Sequence, residues 1–292
     1  MIAVVSNESH LLWKAHFGDK NAETIRYFPH LASVTALAPQ FVMLESRPLC
    51  LSVPSVVKSL EGTHMNLLLL GRGKTGSLVA EVAAERRHHA RVVGAKENIE
   101  CVALTPENLA PFDTVIDFTA PHCVLQHIEA CVMTGKNMVV GTTGWYKEMD
   151  HVRTLVERHK TGFIYAANFS IGVNLFFDIV RTAAAALNHD YSGQIFERHH
   201  ASKHDAPSGT AIAIQHLLRE AASKHQDLEI TSFREGEVVG LHEVVFESPA
   251  DRIYLCHDAK SRRGFAQGAV RAAEWLMGKK RFYDFKDVWR EL

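Results

Sequence analysis

The sequence predicts an α/β protein, with a parallel sheet covered by helices on both faces and, after it, an α+β unit built on an open mixed sheet. Three observations lead there. A short apolar run at residues 67–70 breaks into a glycine-rich turn and then a helical stretch. Apolar runs and amphipathic stretches keep alternating from there to about residue 167, which calls for right-handed crossovers between parallel strands. Beyond residue 228 three strand-like runs follow one another with few helical residues between them.

The elements follow in order. Leu67, Leu68, Leu69 and Leu70 form a first strand, and the apolar spacing after the glycines predicts a helix over 75–87. Residues 90–95 read as a second strand and 114–119 as a third, with a helix over 122–134. Residues 137–142 and 162–167 are further buried strands, with an amphipathic helix between them. A helix over 173–187 then leads to a strand at 193–198, and another helix starts near Ser208. Strands are expected at 228–234, 238–247 and 252–258, the last two joined by a Pro249-containing turn into an antiparallel hairpin. Residues 264–277 carry apolar side chains every three or four positions, and this helix is expected to return and pack on the first sheet.

These elements divide the chain into a first domain over 65–169, completed by 265–292, and a second over 170–264. Residues 1–64 differ from both. Pro29, Pro39, Pro48 and Pro54 interrupt every apolar stretch, although residues 41–57 could supply a short strand. No basic start precedes an apolar block, and Glu8, Asp19, Glu23, Glu45 and Glu61 are a poor fit to a transit peptide. The functional unit is expected to begin at Met65, with an extension before it.

Composition narrows the function. At 292 residues, 47% hydrophobic and 22% charged, the chain has the make-up of a folded globular protein. A formal net charge of −1 provides no global field toward nucleic acid or an anionic bilayer, so any bound anion must be held by local donors. No apolar run is expected to approach the length of a membrane span. The five cysteines (Cys50, Cys101, Cys123, Cys131 and Cys256) show no CxxC spacing and read as reduced intracellular thiols, with no metal site among them.

Gly71, Arg72, Gly73, Lys74, Thr75 and Gly76 make a GxGxxG that follows a strand and opens a helix. In that context the first glycine allows the turn, the second lets backbone approach a diphosphate and the third brings helix against strand. The free N–H groups at the helix start then favour an anion. This is a Rossmann-type nucleotide site. At the end of the second strand Glu97 is placed to accept ribose hydroxyls, while Lys96 and Lys74 could pair with a 2′-phosphate; NADH and NADPH both remain open. Phe118 and Thr119, and Gly141, Thr142 and Thr143, stand at the carboxyl ends of two further strands, where ligands bind in open α/β sheets.

The densest group of reactive residues runs from Glu197 to Ala211. A strand ends in His199 and His200, Lys203 follows in a loop, and Ser208, Gly209 and Thr210 begin a helix. Ser208 can cap that helix, leaving the Gly209 and Thr210 N–H groups for a carboxylate. Lys203 adds a charged donor, and a histidine can donate a proton near neutral pH.

This run resembles the Glu-x-His-His-x-x-Lys-x-Asp-Ala-Pro-Ser-Gly-Thr-Ala signature of the dihydrodipicolinate reductase family. Blocks starting at Val115, Gly141, Ala167, Gly236 and Phe265 resemble its other motifs, so the likeness covers nearly everything from Met65 to Trp289. The glycine turn carries Lys74 where many members have arginine, and the stretch after the second strand is shorter than in many of them.

The resemblance implies a cytoplasmic reductase of lysine and diaminopimelate biosynthesis that uses NADPH or NADH. Its substrate would be a cyclic imine-type dicarboxylate derived from aspartate semialdehyde and pyruvate, which loses water and accepts hydride. His199 would be the acid/base residue, Lys203 a second proton donor and His200 a substrate ligand, with Gly209 and Thr210 holding a carboxylate. The residues from Gly71 to Gly76, Gly141 to Thr143, and Ala166, Ala167, Asn168 and Phe169 would line the cofactor. The assembly would be a homotetramer built through the second-domain sheets. Two other readings share the glycine turn: another two-domain dehydrogenase, and a non-catalytic dinucleotide sensor. Neither accounts for His-His-x-x-Lys followed by Ser-Gly-Thr.

Overall fold

The computed structural model describes residues 64–222 and 227–292. The strand expected within 41–57, and the extension up to residue 63, lie outside the described residues.

The first sheet is built from β1 (Asn66–Leu70), β2 (His89–Val93), β3 (Thr114–Asp117), β4 (Asn137–Val140), β5 (Phe163–Tyr165) and β10 (Phe282–Asp284). Between them run α1 (Lys74–Glu85), the short α2 (Pro106–Leu109), α3 (Val124–Met133) and α4 (Met149–His159). The order is β10-β5-β4-β3-β1-β2, with every pair parallel. The leucine run of β1 shows why no apolar alternation was visible: Leu67 and Leu69 pack on one face with α1, and Leu68 and Leu70 on the other with α3. The strand order reverses between β1 and β3. Their carboxyl ends therefore diverge into a crevice.

The second sheet holds β6 (Ser192–His199), β7 (Ile230–Arg234), β8 (Leu241–Glu247) and β9 (Arg252–Asp258), in the order β7-β6-β8-β9. β8 and β9 form the expected antiparallel hairpin. β6 pairs with β7 in parallel, because α6 (Gly209–Ala221) carries the chain back across the sheet. α5 (Ile171–Ala183) and α6 cover one face, where Phe176, Val180, Ile214 and Leu218 meet Ile195, Val244, Phe246 and Leu255. On the other face Phe233 and Tyr254 remain 40% and 45% exposed. α7 (Arg263–Trp275) returns to pack against α1 under the first sheet, and α8 (Phe285–Val288) closes the chain.

One expectation is corrected. The helical stretch Ile171–Asn188, 18 residues with a mean hydropathy of 1.2, is by length and composition apolar enough to cross a membrane. The physical reason is its place in the core: Val173, Phe176 and Val180 are buried against the second sheet and its neighbours, so the helix is apolar on much of its circumference.

Candidate active site

The nucleotide side begins where β1 runs into the glycine turn. Gly71 has φ +105, and a Cβ there would lie 2.2 Å from the Phe118 carbonyl oxygen, so only glycine fits between β1 and the end of β3. α1 then starts with no side-chain cap at Gly73, and a Cβ on Gly73 would meet nothing within 4 Å. Uncapped N–H groups facing open space are what a diphosphate requires. The adjoining crevice has a volume of about 460 Å³, lined by the glycine turn, the end of β2, residues 98–100 and the end of β3. Its size and donors fit the adenosine end of a dinucleotide.

Glu97 is not free at the rim. Its carboxylate accepts from Arg72 Nη2 at 2.9 Å and from the Gly94 N–H at 2.7 Å. Lys74 and Lys96 are exposed and stand outside the crevice lining. Thr142 is buried and donates to Asp117 at 2.6 Å, whereas Thr143 is exposed. Among residues 166–169, the Phe169 ring is 1% exposed and packs edge-on against Phe118 and Phe285. Its ring belongs to the core, as does Ala166, while Ala167 is exposed and Asn168 half-buried. The Asn168 side chain caps the backbone N–H of Ser170 at 2.9 Å.

The chemical side is built on β6. Strand alternation turns Ile195, Glu197 and His199 to the helix-covered face, so Glu197 enters a core and is 0% exposed. A carboxylate there needs partners. His199 Nδ1 is hydrogen-bonded to Oε2. Arg234 lies in the paired position to His199 on β7 and donates to both carboxylate oxygens, at 3.0 and 2.7 Å. The Ser208 N–H donates to Oε1 at 3.3 Å. One carboxylate thus holds both the imidazole and the N-cap residue of α6.

Ser208 caps α6, accepting from the Ala211 N–H at 3.2 Å. Its hydroxyl is also hydrogen-bonded to His242 Nε2 at 3.0 Å. Gly209 is exposed with no atom within 4 Å of a Cβ position, and Thr210 is half-buried, so the helix start is open to a ligand. His200 lies between Ser202 Oγ at 2.9 Å and Arg262 Nη2 at 3.1 Å. Lys203 Nζ donates to both oxygens of Asp205 at 2.7 Å. Arg234 fixes the backbone of that same loop through the Asp205 carbonyl at 2.6 Å.

The electrostatics follow from burial and these bonds. Burial alone would push the Glu197 carboxyl up, but hydrogen bonds from Arg234, Ser232 and His199 outweigh it and hold the pKa at about 2. Burial pushes His199 below the ordinary imidazole range; Glu197 opposes that shift, and the nearby Lys203 and Arg234 charges add to it. Burial takes His242 down to about 3, which keeps that imidazole neutral. The cluster at rest therefore carries a fixed carboxylate, a fixed guanidinium and neutral imidazoles.

His199, Lys203 and the Ser208–Thr210 turn come together, since Glu197 and Arg234 tie all three to one sheet edge. The glycine turn is linked to them indirectly. Gly71 abuts Phe118, Phe118 meets Phe169, and the Ser170 hydroxyl lies about 3.5 Å from where a Cβ of Gly264 in α7 would stand. Just before that point Arg262 reaches His200, and Arg263 pairs with Glu85 of α1. The start of α7 therefore joins the two sides. Arg234 and Arg262 were not anticipated. A glutamate sharing a buried strand face with Ile195 was the one available sign that a cation must come from elsewhere.

Two family models match the chain, one described as dihydrodipicolinate reductase, N-terminus, over residues 65–169, and one as dihydrodipicolinate reductase, C-terminus, over residues 172–289. A 4-hydroxy-tetrahydrodipicolinate reductase from Christiangramia forsetii is 38% identical over 240 residues, covering 78% of this chain and 99% of that protein. One from Neisseria meningitidis is 38% identical over 214 residues, covering 67% of this chain and 79% of that protein. Among solved structures, a dipicolinate-bound dihydrodipicolinate reductase from Paenisporosarcina matches in fold with a TM-score of 0.65 at 24% identity, covering 77% of this chain and 100% of that one. The chain belongs to the dihydrodipicolinate reductase family.

Proposed function

We propose that this protein reduces 4-hydroxy-tetrahydrodipicolinate to tetrahydrodipicolinate in diaminopimelate and lysine biosynthesis. The observation that carries the reading is the Glu197 carboxylate, which binds His199 and the capped start of α6 at once. A dicarboxylate pinned at the Gly209 and Thr210 N–H groups would lie within reach of an imidazole whose Nδ1 is already engaged. The reduced nicotinamide supplies one hydride per turnover, the substrate loses water, and one proton must come from the protein side. His199 is the acid/base residue, and Lys203, on leaving Asp205, is the second donor. His200 and Arg262 hold the second carboxylate, with the guanidinium as the charged donor. The negative substrate raises the His199 pKa toward neutrality, so the donor is charged when it is needed.

Either nicotinamide dinucleotide is used. The Arg72–Glu97 pair offers an acceptor for ribose hydroxyls and a cation for a 2′-phosphate at one place, which supports dual use. Residues 65–169 with 265–292 act as the nucleotide domain and 170–264 as the substrate domain. The exposed Phe233 and Tyr254 on the uncovered face of the second sheet support a homotetramer assembled through that face. The protein works in the cytoplasm on a small molecule, without nucleic acid or membrane.

The test is a coupled assay in which pyruvate and aspartate semialdehyde are condensed in place and oxidation of NADPH and of NADH is followed separately. Both cofactors are expected to be consumed in step with the imine product. Binding of either dinucleotide without turnover would favour the sensor reading.

A further inference from the structure

β3 ends on a carboxylate that never meets solvent. Asp117 is 0% exposed. Its Oδ1 accepts from the Thr119 N–H at 3.0 Å, from Thr119 Oγ1 at 2.7 Å and from Thr142 Oγ1 at 2.6 Å. Its Oδ2 faces His127 Nδ1 at 2.8 Å, and His127 is itself only 5% exposed. The far nitrogen of that ring, Nε2, meets Asn98 Nδ2 at 3.0 Å, and Asn98 Oδ1 accepts from the Ala103 N–H at 3.1 Å.

The direction of this chain is forced. The Ala103 amide can only donate, so the Asn98 oxygen faces it and the Asn98 NH₂ faces His127. Nε2 must then accept, which puts the imidazole hydrogen on Nδ1, pointing at the carboxylate. Every buried donor and acceptor along the line is used, and removing one strands its neighbours.

It reaches the nucleotide crevice at two places, Thr119 at the end of β3 and Asn98 beyond the end of β2. At one end Thr142 stands in the turn after β4, and its oxygen also accepts from the Thr119 N–H at 2.7 Å. At the other end Asn98 anchors residues 98–104, in which Glu100 and Cys101 adopt φ of +50 and +62. Two left-handed non-glycine residues in succession persist only where their surroundings enforce them. Asn98, Ile99 and Glu100 line the crevice beyond the end of β2, and Ile99 is 63% exposed there. That is the side on which the adenosine of a dinucleotide is recognised, and an exposed apolar side chain gives the adenine ring a surface to lie on.

We propose that Asp117, His127 and Asn98 are positioning residues for the dinucleotide, a buried relay that sets residues 98–104 as the adenine wall while locking Thr119 at the end of β3. The proposal rests on the dinucleotide reading of the crevice and needs none of the catalytic assignments in the second domain. Loss of the relay should loosen the wall without touching the reacting atoms.

Equilibrium binding of ADP-ribose and of NADPH to the full chain, together with steady-state kinetics, tests it. Asn98→Ala, a mild change near the rim, and His127→Leu are expected to weaken both ligands about tenfold, the worth of one or two hydrogen bonds. KM for NADPH should rise by the same factor, with kcat at saturating cofactor within about twofold of wild type. His127→Gln, whose amide can donate to Asp117 and accept from Asn98, should restore most of the affinity. ADP-ribose binding within about twofold of wild type in Asn98→Ala would overturn the relay, even if His127→Leu fails to fold. So would a fall in kcat that tracks thermal stability. A wild-type protein that binds neither ligand would remove the dinucleotide reading together with the relay, whereas unaltered variants of a binding-competent protein would remove the relay alone.

Discussion

Glu197 and His199 lie two residues apart on one face of β6, and the carboxylate of the first holds Nδ1 of the second. This fixes the tautomer and leaves Nε2 for the proton transfer proposed above. Glu197→Gln keeps the shape but reverses the bond. Arg234 would claim the amide oxygen, so the NH₂ would face Nδ1 and force the imidazole hydrogen onto Nε2. Protonated His199 would then be disfavoured. We expect kcat to fall roughly a hundredfold, and the alkaline limb of its pH profile to move to lower pH. His199→Gln and Lys203→Ala should each lower turnover by about a hundredfold or more, with dinucleotide affinity near wild type. Wild-type turnover in both would remove the proton-donor assignment.

The same cluster makes the second sheet sensitive to acid. His242 has an ordinary value of 6.5 and lies at about 3 in the fold. Below 6.5 the unfolded chain therefore binds a proton that the folded chain refuses, and stability falls until about pH 3 is reached. His199, also lowered, adds to the fall below its ordinary 6.5. Glu197 acts further down: its contribution is complete above 4.5 and is lost as pH drops through about 2. Urea midpoints should be level above about pH 7 and decline steadily from about pH 6.5 to 4. His242→Asn, which keeps a short polar partner for Ser208, should flatten the upper part of that decline. An unaltered slope in this variant would mean that another group drives it.

Much of this was legible before any coordinates. The glycine turn, the alternation of strands and helices to residue 167 and the β8–β9 hairpin are local patterns, and each appeared within a few residues of its expected place. Ser208 was readable as a cap because its side chain acts on the turn beside it. The three-residue strand β10 was not readable: Phe282, Tyr283 and Asp284 have no period of their own and become a strand only by pairing with β5. Arg234 was hidden for the same reason. It meets Glu197 only because β6 and β7 run parallel in one register, and no local signal sets that register. The expectation that Glu97 stands ready for a ribose did not include Arg72, its ion-pair partner from the glycine turn.

Gly240 stands against Nε2, the atom proposed to move the proton. It is buried beside the ring, and a Cβ there would stand 3.0 Å from Nε2 and 3.3 Å from Cδ2 of His199. The backbone at this position lies outside the left-handed region, so alanine brings no conformational strain of its own. Nor can the ring retreat easily, because Glu197 holds its opposite edge. Gly240→Ala should therefore cover the nitrogen or tilt the ring by a few tenths of an ångström. Misplacement of a proton donor on that scale is expected to lower kcat/KM by about tenfold to a hundredfold, with dinucleotide affinity within about twofold of wild type. Stopped-flow turnover and equilibrium titration of the same preparation separate the two. If the alanine variant turns over as fast as wild type, Nε2 does not reach the substrate past residue 240, and the proton must arrive from Lys203.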